Sequence, residues 1–160
     1  MLKYIGIILF SCSVSAYGAY LSHNIITASK IRHELLSFTK HIENEIKYKN
    51  APLCHAFKVF SSPTLYRYGF LEGIYNNGDY KGVVEETLFL LTKKERALIC
   101  DMLYSLGISH FSDKELSTLI YFRQGLEVIF EDSEKIGKER SLLYKKLGLI
   151  AALISAIILI

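Results

Sequence analysis

The chain has 160 residues, 51% of them hydrophobic, with a formal net charge of +3 and a mean hydropathy of +0.24. Of its 19 Lys and Arg, Lys3, Lys145 and Lys146 flank two apolar ends; without them basic and acidic residues balance at 16 each, which argues against a nucleic-acid partner. Three cysteines, Cys12, Cys54 and Cys100, are odd in number and lack paired spacing, so no disulfide framework is implied.

Positions 4–21 carry no charge and suffice to cross a bilayer as a helix. An uncleaved transmembrane anchor is the expected reading. Two others compete: a signal peptide with Lys3 as its basic start, and a lipoprotein signal in which Leu9-Phe10-Ser11-Cys12 ends at a lipidated Cys12. Phe10 is bulky for that second pattern. Gly6, Ser11, Ser13, Ser15 and Gly18 make one side of this segment small, which suits close packing against another membrane helix.

From 25 to 49, Ile31, Leu35, Phe38, Ile42 and Ile46 recur at three- and four-residue steps and predict one amphipathic helix. No Gly or Pro interrupts 19–49, so this helix is expected to continue from the membrane segment. Lys49-Asn50-Ala51-Pro52 predicts a turn, with Pro52 at the first position of a short helix carrying Leu53, Ala56, Phe57 and Phe60. Ser61-Ser62-Pro63 ends that helix and starts another through Leu71. The stretch 73–82 is the loosest, with a turn at Asn76-Asn77-Gly78-Asp79. A helix resumes near Lys81 with Val83, Val84, Leu88 and Leu91.

Thr92-Lys93-Lys94-Glu95 and Ser112-Asp113-Lys114-Glu115 each have capping-box spacing and predict helix starts. The first opens a helix with Leu98, Ile99, Met102, Leu103 and Leu106, ended by Gly107. The second carries Leu116, Leu119, Ile120, Phe122, Leu126, Ile129, Phe130 and Ile136. With no proline after Pro63, it is expected to run unbroken into the C-terminal segment. Nothing alternates with period two, so no strand is predicted.

Positions 147–160 hold no charge. These 14 residues reach about 21 Å against a hydrocarbon core of about 30 Å. Leu142, Leu143 and Tyr144 extend the span if Lys145 and Lys146 snorkel to the interface. The expected fold is all-α: a transmembrane helix at 1–22, a cytoplasmic helical bundle at 23–143 and a transmembrane helix at 144–160. Lys30, Arg32, Lys138, Arg140, Lys145 and Lys146 lie on the middle side of both segments. The positive-inside rule therefore puts the bundle in the cytoplasm and both termini outside, anchored at the interfaces by Lys3, Tyr144, Lys145 and Lys146.

No glycine spacing matches a phosphate loop or dinucleotide fingerprint. His41 and Glu45 share a helix face at i,i+4, but a lone pair reads as a contact rather than a metal site. Adjacent Cys54-His55 is the only hint of a Cys/His hydrolase. No cofactor is expected, and the chain is read as non-enzymatic.

Three stretches carry a family resemblance. They are Met1-Leu2-Lys3-Tyr4-Ile5-Gly6; Glu43-Asn44-Glu45-Ile46-Lys47-Tyr48 followed by Pro52-Leu53 and Ala56; and Tyr144-Lys145-Lys146-Leu147-Gly148 before the apolar tail. Leu91-Thr92 and Leu106-Gly107 also fall in register. With the anchor–bundle–anchor layout, these residues resemble the stage III sporulation protein AB family of endospore-forming bacteria. That family is similar to the F-type inner-membrane platform proteins of type II secretion and pilus systems. The resemblance implies a platform in the mother-cell membrane around the forespore, within a trans-envelope secretion-like channel. Its implied partners are the stage III sporulation AA-type ATPase, other stage III sporulation A-operon channel proteins and a second copy of the chain. Glu45, Tyr48, Pro52 and Leu53 then have two readings. They form a helix junction, with Tyr48 packed over it and Leu53 in the core, or a docking face built on a solvated Glu45. The rival functions are a lipoprotein anchored at Cys12 and a hydrolase using Cys54 and His55.

Overall fold

A computed structural model describes residues 2–49, 53–76, 79–107 and 113–159. The fold is all-α. Helix α1 spans Leu2–Asn44 and passes into a π-helical turn, Glu45–Lys49; α2 is Leu53–Val59, α3 Pro63–Arg67, α4 Phe70–Asn76, α5 Tyr80–Thr87, α6 Lys93–Gly107 and α7 Asp113–Leu159. No strand occurs among the described residues. Two compact units arise: Lys30–Asp132, and Met1–Ser29 together with Ser133–Ile160.

In the unit Lys30–Asp132, the α1 stripe behaves as its spacing predicts: Ile31, Leu35, Phe38, Ile42 and Ile46 are all buried. Phe38 anchors an aromatic cluster, its ring centroid 5.5 Å from Phe57, 5.2 Å from Phe60 and 6.2 Å from Phe70. Val83, Val84 and Leu88 of the α5 stretch join the core, as do Ile99, Met102 and Leu103 of α6 and Leu119, Leu126 and Phe130 of α7. Fully burying each such side chain contributes about 1.5–3 kcal/mol.

Polar groups of α1 tie down the starts of two other helices. The Glu34 carboxylate accepts from the Ser62 and Thr64 hydroxyls, from Thr64 N at 3.0 Å and from Leu65 N at 3.2 Å. It thereby supplies acceptors for the free N–H groups that open α3. Arg32 Nε donates to Glu95 Oε1 at 2.7 Å, and both side chains are buried. Glu95 also closes the expected capping box: Thr92 N donates to its carboxylate at 2.6 Å, and Glu95 N donates to Thr92 Oγ1 at 3.3 Å. Toward the end of α1, Arg123 meets Glu43 at 3.0 Å and Glu127 at 2.8 Å.

Three local expectations change. The helix expected from Pro63 through Leu71 is two, α3 and α4, because Gly69 takes φ +74 and turns the chain between them. The stretch 73–82 is mostly helical, with α4 running to Asn76 and α5 starting at Tyr80 under an Asp79 cap; Asn77 and Gly78 lie outside the described residues. Ile136, expected on the apolar stripe, is 49% exposed. Pro52 and Ser112, the expected helix-start residues, also lie outside the described residues.

The unit of Met1–Ser29 and Ser133–Ile160 pairs segments of α1 and α7 in antiparallel register. Gly18 lies against Gly148, Ser22 against Ser141, Ile25 against Gly137 and Ser29 against Glu134. Among the described residues, no helix is long and apolar enough to cross a membrane.

Candidate functional site

The junction after α1 holds the first group of candidate residues. Glu45 opens the π-turn and is 4% exposed, not solvated as its charge suggests. The reason is positional: it lies three residues after buried Ile42, on the core side of the helix. His41, one helical turn earlier, packs its ring 5.4 Å from Phe60. Tyr48 points the other way. It is 73% exposed, with Lys47 Nζ 5.3 Å from its ring centroid, so it does not pack over the junction. Pro52 and the side chains of Leu53, Cys54 and Lys3 lie outside the described residues. The Cys54–His55 pairing therefore has no described geometry. Local insertion of a π-turn in a helix is frequent at functional positions.

The second candidate feature is the paired-helix seam. A Cβ on Gly18 would sit 2.9 Å from the Tyr144 carbonyl oxygen and 3.1 Å from Gly148 Cα; one on Gly148 would sit 3.3 Å from Gly18 Cα. Position 18 therefore needs glycine for this backbone approach, and a side chain at Gly148 would press the two helices apart by a few tenths of an ångström. One turn along, the hydroxyls of Ser22 and Ser141 hydrogen-bond at 2.7 Å, and Ser22 is fully buried. Ser29 Oγ then donates to Glu134 Oε1 at 3.0 Å. The outer surface of this unit is apolar: Ile8, Leu9 and Phe10 on α1, and Leu149, Leu153 and Ile157 on α7, are each at least 53% exposed. Tyr17 and Tyr20 are exposed near the level of Tyr144, whose carbonyl Gly18 approaches, and Lys145 and Lys146 follow directly in α7.

Electrostatics in the other unit favour charged carboxylates. Burial pushes the Glu34 carboxyl upward, and the hydrogen bonds from Ser62, Thr64 and Leu65 outweigh it, so the net shift is below the ordinary value. Glu95 follows the same pattern, with burial outweighed by Arg32 and Thr92. Burial, with Asp101 and Glu85 nearby, raises the Cys100 thiol, which is free.

Gly18 is legible in the sequence as a small-face residue; its partner Gly148 is not, because a lone glycine in an apolar run has no partner in one dimension. The Arg32–Glu95 pair also escapes a linear reading. Its only trace is the capping box, which explains Glu95 without Arg32. No protein-family model, curated protein or solved structure matches this chain.

Proposed function

We propose that this chain is a non-enzymatic membrane platform protein of a secretion-like trans-envelope channel required for endospore formation. The carrying observation is the inverted surface of the paired-helix unit, with large apolar side chains outward and Gly18, Gly148, Ser22 and Ser141 inward. That distribution suits lipid, where helices associate through small residues and interhelical hydrogen bonds rather than by hiding apolar side chains from water. Exposed Tyr17 and Tyr20 near Tyr144, Lys145 and Lys146 suit a membrane–water boundary. Antiparallel pairing is also what a protein with both termini on one side requires.

In this reading the helices at 1–22 and 144–160 cross the mother-cell membrane around the forespore. The bundle at 23–143 faces the cytoplasm and docks the stage III sporulation AA-type ATPase, beside other channel proteins of the same operon and a second copy of the chain. The specific family assignment rests on the resemblance at 43–56 and 144–148; the membrane placement rests on the surface. Exposed Tyr48 is the docking residue of the junction, and buried Glu45 supports it from inside.

The test is fractionation followed by thiol labelling in intact cells. The chain resists carbonate extraction, and variants retaining only Cys54 or only Cys100 react with a membrane-impermeant maleimide only after permeabilisation. Labelling of intact cells overturns this orientation and favours a lipoprotein anchored at Cys12. Release by carbonate overturns membrane insertion.

A further inference from the structure

The apolar surface of the paired-helix unit has a definite height, set by the register of its two helices. Gly18 packs on Gly148 and Ser22 on Ser141, so Tyr17 and Tyr20 lie level with Tyr144 and Lys145. These residues close the apolar surface at one end. Carried along both helices, the same register brings Lys3 level with the last turn of α7, which ends at Leu159. Lys3 closes the surface at the other end. Lys3 and Tyr17 are separated by about 21 Å of helix at about 1.5 Å per residue. Between these limits the outward side chains are large and apolar, among them Ile5, Phe10, Leu149 and Ile157.

The hydrocarbon core of a bilayer is about 30 Å thick. The lysines recover part of the difference. Where Lys145 and Lys146 extend their ammonium groups to the interface, exposed Leu142 and Leu143 also enter the core. That gain stops at Glu139 and Arg140, both exposed and charged, so α7 offers at most about 26 Å, from Leu142 to Leu159. Tilting cannot supply the rest, because it shortens the span measured along the bilayer normal. The close contact of Gly18 with Gly148 keeps the helices from sliding past each other to share a longer span. Covering Lys3, Glu139 or Arg140 with hydrocarbon is costlier than compressing acyl chains by a few ångströms. Resting on the membrane placement proposed above, we infer that the paired-helix unit selects short acyl chains and draws the bilayer around it thinner than its ordinary core.

The chain has no tryptophan, so Phe10→Trp on the outward apolar face supplies a single reporter. The full-length variant is reconstituted into phosphatidylcholine vesicles of one acyl length, from fourteen to twenty-two carbons, each mixed with a fixed share of brominated lipid. Quenching then gives the relative affinity for each length. Affinity is expected to peak at fourteen or sixteen carbons and to fall about threefold or more by twenty-two. Lys145→Leu/Lys146→Leu lengthens the uncharged surface of α7 and is expected to move the peak to longer chains. Lys135→Leu, at an exposed lysine beyond Arg140, is expected to leave the peak in place. Circular dichroism of each variant in the same vesicles checks that the helices persist. A flat profile, a peak at eighteen carbons or more, or an unmoved peak in Lys145→Leu/Lys146→Leu overturns this inference and leaves the membrane placement standing. Absence of quenching at every length removes the placement and the inference together.

Discussion

In the unit Lys30–Asp132, Phe38 and Phe70 are fully buried and Phe130 is 2% exposed; in the paired-helix unit Phe10 is 53% exposed, and buried Ser22 and Ala28 lie inside. The same residue type takes opposite places, and the proposed membrane placement accounts for it, because the cost of exposure depends on the solvent. In water, burying apolar area drives folding. In hydrocarbon that drive vanishes, and close backbone approach and hydrogen bonds decide what packs. On the proposed membrane placement, Gly18 and Gly148 serve the second regime as Phe38 serves the first.

The largest effects should come from the interior of the unit Lys30–Asp132. Arg32→Ala leaves Glu95 buried without its cation and should destabilise the chain by about 3–5 kcal/mol. Phe38→Ala should cost about 3–5 kcal/mol through loss of its aromatic contacts. Denaturant unfolding of the full chain in micelles measures both, and Phe10→Ala in the same assay should stay within about 0.5 kcal/mol. A Phe10 effect as large as that of Phe38 would erase the contrast between the units.

Overpacking the seam comes next. Gly18→Leu should cost about 1–3 kcal/mol, and should abolish the disulfide that a Ser22→Cys/Ser141→Cys pair forms on mild oxidation. A disulfide that forms equally well in the Gly18→Leu background would show that the close approach is dispensable.

Acid gives a smaller, graded effect on the other unit. Glu34 and Glu95 have folded values below 4.5, the ordinary glutamate value. Their contribution is therefore full above about pH 4.5 and is lost as pH falls through the folded values. Melting temperature should drop below pH 4.5, and less steeply in Glu34→Gln. Equal slopes in both proteins would remove Glu34 from the account.

The smallest stability effect belongs to Tyr48→Ala, within about 0.5 kcal/mol for so exposed a ring. If the proposed docking of an ATPase holds, its co-purification should nonetheless fall. An unchanged yield would leave the junction without a docking role.

Periodicity makes much of the helical architecture legible. The stripe from Ile31 to Ile46 and the Thr92–Glu95 box depend on neighbours within a turn or two, and both appear as read. What escapes depends on the third dimension. Gly69 reads as helix because a single glycine is compatible with one, and only its positive φ reveals the break. The charge of Glu45 suggests an outer position although its offset from Ile42 puts it inside. The close packing of Val83 on Gly73 needs α4 and α5 brought together, which no linear pattern announces.

The register of Ser22 with Ser141 sets a timetable as well as a geometry. These partners are 119 residues apart. At about 5–20 residues per second of synthesis, the first seam surface waits roughly 6–24 s for the second. Throughout that interval Gly18 and Ser22 present a bare, small-faced strip with no intramolecular mate. The bundle between them emerges first, which shortens the entropic search when the stretch of α7 after Asp132 arrives. A ribosome stalled in α7 would hold that strip open, and nascent chains crowded on one message would then compete to close it with one another.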